Sequence, residues 1–449
     1  MFNNINENIQ KNINKNMNSI IFFINAFFIF VTEGLIYTFF QDYSLFIDRL
    51  SMRLASINIL YVKIFQACAL NNNLIDDNIN NEILKFTDNA PWNYSDINLA
   101  ELVNIADKYE LYLKHGYEVP INSGMISLVF KAYRKDDILK PVIIKMKRKN
   151  IQQKLDDAID NLLFFMYVMS FIPIINKYQL AEVVNKNIDI IRHQTNFLEE
   201  IDNMNTIREN CKYLKYVKIP TANRKVTEEH PDVILMDYIE GLKISQISRE
   251  HYESFAKLVV KFGIVTTLIH GVTHGDLHSG NILFIEDPND VKYPHKIGII
   301  DFGIIYNVNS QYKELLLDIL IHVFENTPRE TAINLLNSGV IDPPGILQKI
   351  PKIDYDNIVT FAEELITETI NTSKKANQLQ IYKFLSKFKE YLSKDELSNI
   401  GIRPSDDFVK SQLVIAMAHG VTLTLCNNDF ISLMDKSINE LFPTKIMIH

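Results

Sequence analysis

HGDLHSGN at residues 274–281, followed by DFG at 301–303, sets three oxygen-bearing side chains in a short span: Asp276, Asn281 and Asp301. Four residues separate Asp276 from Asn281, and Asp301 lies 25 positions beyond Asp276. Phosphoryl transfer needs such a set. One carboxylate orients or deprotonates the attacking hydroxyl, while an amide oxygen and a second carboxylate hold the hard Mg²⁺ ions that bridge nucleotide phosphates. The apolar runs NILFI (281–285) and KIGIID (296–301) read as two short strands of a hairpin that leads into the second carboxylate. His270, His274 and His278 fall at i, i+4 and i+8, a metal-ligand spacing on a continuous helix. Gly271, Gly275 and Gly280 interrupt any such helix, and there is no HExxH. His274 is therefore expected as a buried, hydrogen-bonded residue of the loop. DFG alone is a common tripeptide; its pairing with the upstream loop gives it weight.

Asp, four residues, then Asn, with DFG on the next hairpin, is the spacing of a kinase catalytic loop. Such a site requires a lysine on an upstream strand to grip the α- and β-phosphates, paired with a helix glutamate. PVIIK supplies Lys145 at the end of an apolar strand, and NFLEEIDNM offers Glu199 and Glu200, of which Glu200 is favoured. The gap from Lys145 to Glu200 leaves room for a helical insertion over about 151–192. Lys147, Arg148 and Lys149 follow the strand and are expected to face solvent. INSGMISLV (121–129) offers Ser123 and a single glycine, Gly124, as the phosphate-covering loop. DVILMDYIEG (232–241) reads as a strand entering the interlobe hinge, with Met236, Asp237 and Tyr238 lining an adenine slot. A core strand that touches no ligand explains each of those side chains equally well.

The chain has 449 residues, room for about three modules. Its 46 basic and 54 acidic residues give a net charge of −8, which argues against a nucleic-acid binder. A hydrophobic fraction of 47% with 22% charged residues excludes a disordered chain. Cys68, Cys211 and Cys426 are far apart, which excludes a disulfide scaffold or cysteine zinc cluster and suits a reducing, intracellular compartment. Residues 1–18 read as a polar, disordered tract. Ile20–Phe40 is nearly long enough for a membrane span, but Asn25, Thr32, Glu33 and Gly34 interrupt it. An apolar helix packed on the protein or lying at a membrane surface is favoured over a span. Neither a signal peptide nor an Arg-rich transit peptide is evident. Leu45–Leu70 has helical spacing, and a further helix is expected near Ile97–His115, capped by Ser95 or Asp96.

Together these pieces resemble the UbiB/ADCK (aarF-domain-containing) family of atypical protein-kinase-like proteins. The resemblance rests on HGDLHSGN with DFG, on PVIIK, on the insertion before Glu200 and on the long helical extension, and spans about residues 40–440. The catalytic pieces alone are equally similar to aminoglycoside and choline phosphotransferases; the extension separates them. LYVKIFQACAL (60–70) resembles the family's KxGQ helix, with Lys63 and Gln66 on its Lys and Gln. VPINSGMISLVFKA (119–132) resembles its Ala-rich replacement for the glycine loop.

The resemblance implies an α+β, two-lobed protein-kinase-like fold with a mostly helical N-terminal extension, a helical insertion in the N-lobe, and a KxGQ lid over the site. It implies ATP and Mg²⁺ binding, ATPase or unorthodox kinase activity, and support of quinone-lipid metabolism near membranes. Lys145, Glu200, Asp276, Asn281 and Asp301 match its motif positions. Phe65 replaces the KxGQ glycine, and Gln194 and Asn196 stand where the family has an acidic ExD pair that engages the lysine.

The expected organisation is a disordered tract and apolar helix over 1–40, a helical extension with the KxGQ-like helix over 41–116, the N-lobe over 117–240, and the C-lobe over 241–449. Expected partners are a nucleotide, an unidentified phosphate acceptor, and a membrane surface or lipid. A small-molecule phosphotransferase and a nucleotide-binding pseudokinase scaffold are the competing readings.

Overall fold

SLVFKAYR (127–134) and PVIIKMK (141–147) place large apolar residues at alternate positions, and a strand sends alternate side chains to opposite faces. The main sheet is built on that period. The structure is a computed structural model that describes residues 2–58, 60, 90, 92–113, 116, 119–137, 139–169, 188, 192–310, 313–314 and 327–376, with scattered positions from 387 to 441. It divides into two units, Met1–Ile201 with Thr221–Tyr238, and Asp202–Pro220 with Ile239–His449.

The first unit opens with helices α1 (Phe2–Phe40), α2 (Tyr43–Ile57) and α3 (Leu99–Lys108). Strands β1 (Leu111–Tyr112), β2 (Asn122–Ser123), β3 (Ser127–Arg134) and β4 (Pro141–Lys147) follow. Next come α4 (Ile151–Met169) and α5 (Phe197–Cys211), whose residues from Asp202 belong to the second unit. Strand β5 (Val217–Lys218) also belongs there, while α6 (Arg224–Glu229) and β6 (Val233–Asp237) complete the first unit.

The antiparallel sheet has the order β1-β3-β4-β6, with β2 also paired to β3. Its register sets Leu128 opposite Met146, Phe130 opposite Ile144, and Ile144 opposite Leu235. These side chains share one face and pack with Leu102 and Ile105 of α3 in a buried core. Lys145, one residue along and paired with Val129 and Ile234, therefore leaves the sheet on the other face.

Helix α1 packs Phe22, Ala26 and Ile29 against Leu50 and Leu54 of α2, with Phe165 of α4 at the edge. Glu33 is wholly buried, and accepts hydrogen bonds from Arg49 Nε at 2.8 Å and Arg53 Nη1 at 2.6 Å. The Arg49 hydrogen bond, helped by Arg53 and by both positive charges, holds its carboxyl below the usual carboxylate range against the opposing effect of burial. On the other side Ile20, Ile24, Phe27, Phe28, Val31 and Leu35 are exposed at helical spacing. Asn18–Phe40 is long and apolar enough to cross a membrane, with 28% of its apolar window buried in the protein.

Several local expectations change. The helical run expected over Leu45–Leu70 breaks at Asn58, whose backbone is extended, and α3 has Asn98 at its N-cap, not Ser95 or Asp96. Helix α1 begins at Phe2, where a disordered tract was expected; once an apolar run nucleates a helix, each added residue gains a hydrogen bond, and polar residues can extend it. The helix expected to reach His115 stops at Lys108, because Glu110 takes a left-handed conformation (φ 51°) and turns the chain into β1. Arg148, expected in solvent, is only 3% exposed.

In the second unit α7 (Tyr252–Ile264) passes into one π-helical turn, Val265–His270, which ends at left-handed Gly271. Strand β7 (Val272–His274) follows, then the hairpin of β8 (Ile282–Glu286) and β9 (His295–Ile299), then β10 (Ile305–Asn307). β10 pairs with β7, setting Ile305 opposite His274, and β5 runs parallel to β9. Helices α8 (Pro328–Leu336) and α9 (Lys352–Ala376) share a separate core that includes Leu335, Ile358 and Phe388.

Candidate functional site

The sequence-selected residues fall into two groups, one in each unit. In the first unit, Lys145 and Glu200 are 6% and 2% exposed, and Lys145 Nζ donates to Glu200 Oε1 at 2.5 Å. The ammonium also lies 5.7 Å from the Phe197 ring centre. Helix α5 starts at Phe197 because the Asn196 side chain accepts the Glu199 amide, an N-cap that leaves Glu200 in the first turn. Glu199, the less favoured candidate, lies near His193, at 3.2 Å from Nδ1. The buried ion pair is thus made by a strand lysine and a first-turn glutamate 55 residues apart.

Ser123 and Gly124 are engaged with the protein itself. Ser123 Oγ donates to the Ala90 carbonyl at 2.6 Å, and Ala90 N–H returns a bond to the Ser123 carbonyl at 2.9 Å. The Gly124 carbonyl accepts from Arg148 Nε at 3.0 Å and Nη2 at 2.7 Å. A Cβ at Gly124 would meet only Ser127 at ordinary contact distance, so steric crowding does not require glycine there. Met236 is buried on β6 opposite Ile143, and Tyr238 carries Lys131 Nζ 3.7 Å from its ring centre. Asp237 is exposed, with its carboxylate accepting the Thr221 amide at 3.1 Å.

The second unit holds Asp276, Asn281 and Asp301. Asn281 Nδ2 donates to the Asp276 main-chain carbonyl at 2.8 Å, which leaves Asn281 Oδ1 as the oxygen that can face a cation. Asp301 Oδ1 accepts the Gly303 amide at 3.0 Å. His274, buried beneath them, accepts the Asp276 amide on Nδ1 at 3.1 Å and donates from Nε2 to the Asp301 main-chain carbonyl. Those partners assign the neutral Nε2–H tautomer. Burial holds the imidazole below its usual value, outweighing the Asp301 carbonyl bond and the neighbouring carboxylates. Gly275 in the loop and Asn203 on α5 have roles that the motif does not reveal. A Cβ on Gly275 would sit 2.4 Å from Ile304 Cγ2 and 2.7 Å from the Tyr306 ring, so the β7–β10 approach demands glycine. Asn203 Nδ2 donates to the carbonyl of Phe302, a fully buried ring, at 3.0 Å. Burial, with the Asp276 charge, pushes the Tyr306 phenol up to about 12.

The donor set fits Mg²⁺, which prefers carboxylate and amide oxygens. Among the described residues no three His, Cys, Asp or Glu side chains gather as a metal cage, and Mg²⁺ commonly completes its shell with water and nucleotide oxygens. Lys63, Phe65 and Gln66 lie outside the described residues. Gln194 is half-buried and Asn196 is the cap already described.

Residues 87–333 match the ABC1 atypical kinase-like domain. The chain is 24% identical over 64% of its length to Activity of BC1 complex kinase 8, a chloroplastic protein of Arabidopsis thaliana, and covers 37% of that protein. It is 24% identical over 65% of its length to a probable protein kinase UbiB of Glaesserella parasuis, and covers 54% of it. The chain therefore spans about half or less of these relatives. Among solved structures, the erythromycin complex of Rv3197 from Mycobacterium tuberculosis aligns with 83% of this chain and 90% of that one, at 14% identity and a TM-score of 0.45. The fold is α+β and protein-kinase-like, with the sheet unit preceded by a mostly helical extension and interrupted by the inserted helix α4.

Proposed function

The chain belongs to the ABC1 atypical kinase-like family of UbiB type, and on that premise we propose that it is an ATP- and Mg²⁺-dependent phosphotransferase or ATPase. The observation that carries the proposal is the buried Lys145–Glu200 ion pair. A lysine and a glutamate are costly to bury, and a phosphate-gripping lysine held in position by a helix glutamate gives that cost a purpose.

In this reading Lys145 binds the α- and β-phosphates, Ser123 and Gly124 belong to the loop that covers them, and Met236 and Tyr238 flank the adenine. Asp276 orients the acceptor hydroxyl and takes its proton. Asn281 and Asp301 hold Mg²⁺, which when bound neutralises charge on the phosphates. His274 keeps the backbones of Asp276 and Asp301 in fixed relation. The exposed apolar face of α1 suits a lipid surface, in keeping with the quinone-lipid setting that the family resemblance implies.

The test is phosphate release from MgATP by the full chain. Turnover that disappears in Asp276→Asn supports the proposal. Nucleotide binding without turnover would favour a scaffold, a reading supported by the engagement of the Ser123 hydroxyl and Gly124 carbonyl within the protein.

A further inference from the structure

Arg148 has no part in the kinase-type motifs, yet its guanidinium is buried and hydrogen-bonded beside the loop at Gly124. Its guanidinium donates to Gly124 O from two nitrogens, to Asp96 Oδ2 from Nη1 at 2.9 Å, and to Ala90 O from Nη2 at 3.4 Å. Its own amide donates to the Ile126 carbonyl at 2.8 Å. Asp96 is fixed in turn by Lys154 Nζ at 2.6 Å and by the Asn93 amide at 3.0 Å. Both carbonyls of the turn, at Gly124 and Ile126, are thus drawn toward Arg148.

A trans peptide points its C=O and the following N–H in opposite directions, and among the described residues the only cis bond is Asp342–Pro343. Drawing the Gly124 carbonyl to Arg148 therefore aims the Met125 N–H away from it. Glycine-rich phosphate loops reach comparable orientations through backbone freedom. Here one glycine suffices because a buried guanidinium fork imposes the orientation from behind.

We propose that Arg148, anchored by Asp96, is a positioning residue for nucleotide phosphate: by holding the Gly124 carbonyl it presents the Met125 amide as the loop's phosphate donor. The inference rests on the nucleotide-binding reading above and adds the groups that make a one-glycine loop competent.

The test titrates the full chain with MgADP and, separately, with adenosine, as wild type and as Arg148→Lys, with a melting temperature for each. Lysine keeps the charge beside Asp96 but lacks the fork that joins Asp96 to Gly124. MgADP affinity should fall at least about tenfold, the worth of one charge-assisted hydrogen bond, while adenosine affinity stays unchanged. Equal losses for both ligands, or undiminished MgADP affinity, overturn the inference. Hydrogen exchange at Met125 in the wild-type chain supplies a second arm that does not depend on the variant folding. MgADP, and not adenosine, should slow it; bound MgADP that leaves Met125 exchange unchanged overturns the inference alone. A wild-type chain that binds neither ligand overturns the underlying functional reading as well.

Discussion

The side chain of His274 donates its Nε2 proton to the main-chain carbonyl of Asp301, 27 residues later in the chain. Because the other ring nitrogen accepts the Asp276 amide, a single neutral imidazole joins the backbone of Asp276 to that of Asp301. Protonating the ring would turn Nδ1 into a donor facing another donor.

That arrangement makes stability depend on pH. The folded-state value of His274 is depressed by burial, and burial also depresses those of His270 and His295. A depressed group leaves the unfolded chain binding more protons, so stability is full above the ordinary imidazole value of about 6.5 and falls as pH drops below it toward the folded-state value. Urea unfolding at stepped pH should show that loss. In His274→Gln the slope should be shallower by up to about 1.4 kcal/mol per pH unit, one proton's worth. An unchanged slope would contradict the neutral, buried assignment.

Breaking the Lys145–Glu200 pair from either side should cost about 3–5 kcal/mol, because the remaining partner is left charged and buried. Lys145→Met and Glu200→Leu are the single variants, and the double variant should lose clearly less than their sum. Additive losses in chemical denaturation would mean that the two groups act independently.

Gly275→Ala places a methyl group where Ile304 and Tyr306 already stand. Overpacking of this kind costs about 1–3 kcal/mol, and relief requires β10 to move from β7. Gly124→Ala meets no such obstacle and should leave stability within about 0.5 kcal/mol. Equal melting temperatures for the two variants would contradict the crowding at Gly275.

The legible parts of this protein were those encoded locally or by chemistry. Strand alternation around Lys145 and the spacing of Asp276, Asn281 and Asp301 could be read directly, and a strand lysine implied a helix glutamate. Arg148 could not be read this way. Its partner Asp96 lies 52 residues upstream, and nothing in the sequence distinguishes the inward-turning guanidinium of Arg148 from the adjacent Lys149, which is exposed. The early stop of α3 rests on one non-glycine residue, Glu110, with positive φ, a conformation that propensity disfavours and tertiary pairing of β1 enforces. Gly275 looked like part of a motif, whereas its requirement comes from β10, a strand about 30 residues further along.

Helix α1 gives a test of the proposed lipid surface. Phe27 and Phe28 are 57% and 59% exposed, so Phe27→Asp with Phe28→Asp should leave the fold intact. The wild-type chain should float with anionic liposomes and the double variant should not, at equal melting temperatures. Co-flotation of both forms, or of neither, would remove this face as the membrane contact.

MgATP binding is the most direct measure of the central claim. At a hundredfold excess over its Kd, MgATP should stabilise the wild-type chain by about 2.7 kcal/mol, seen as a rise in melting temperature. Asp301→Ala, which removes a proposed Mg²⁺ ligand, should lose most of that rise. A wild-type chain whose melting temperature does not respond to MgATP, or an Asp301→Ala chain that responds as the wild type does, would contradict the account.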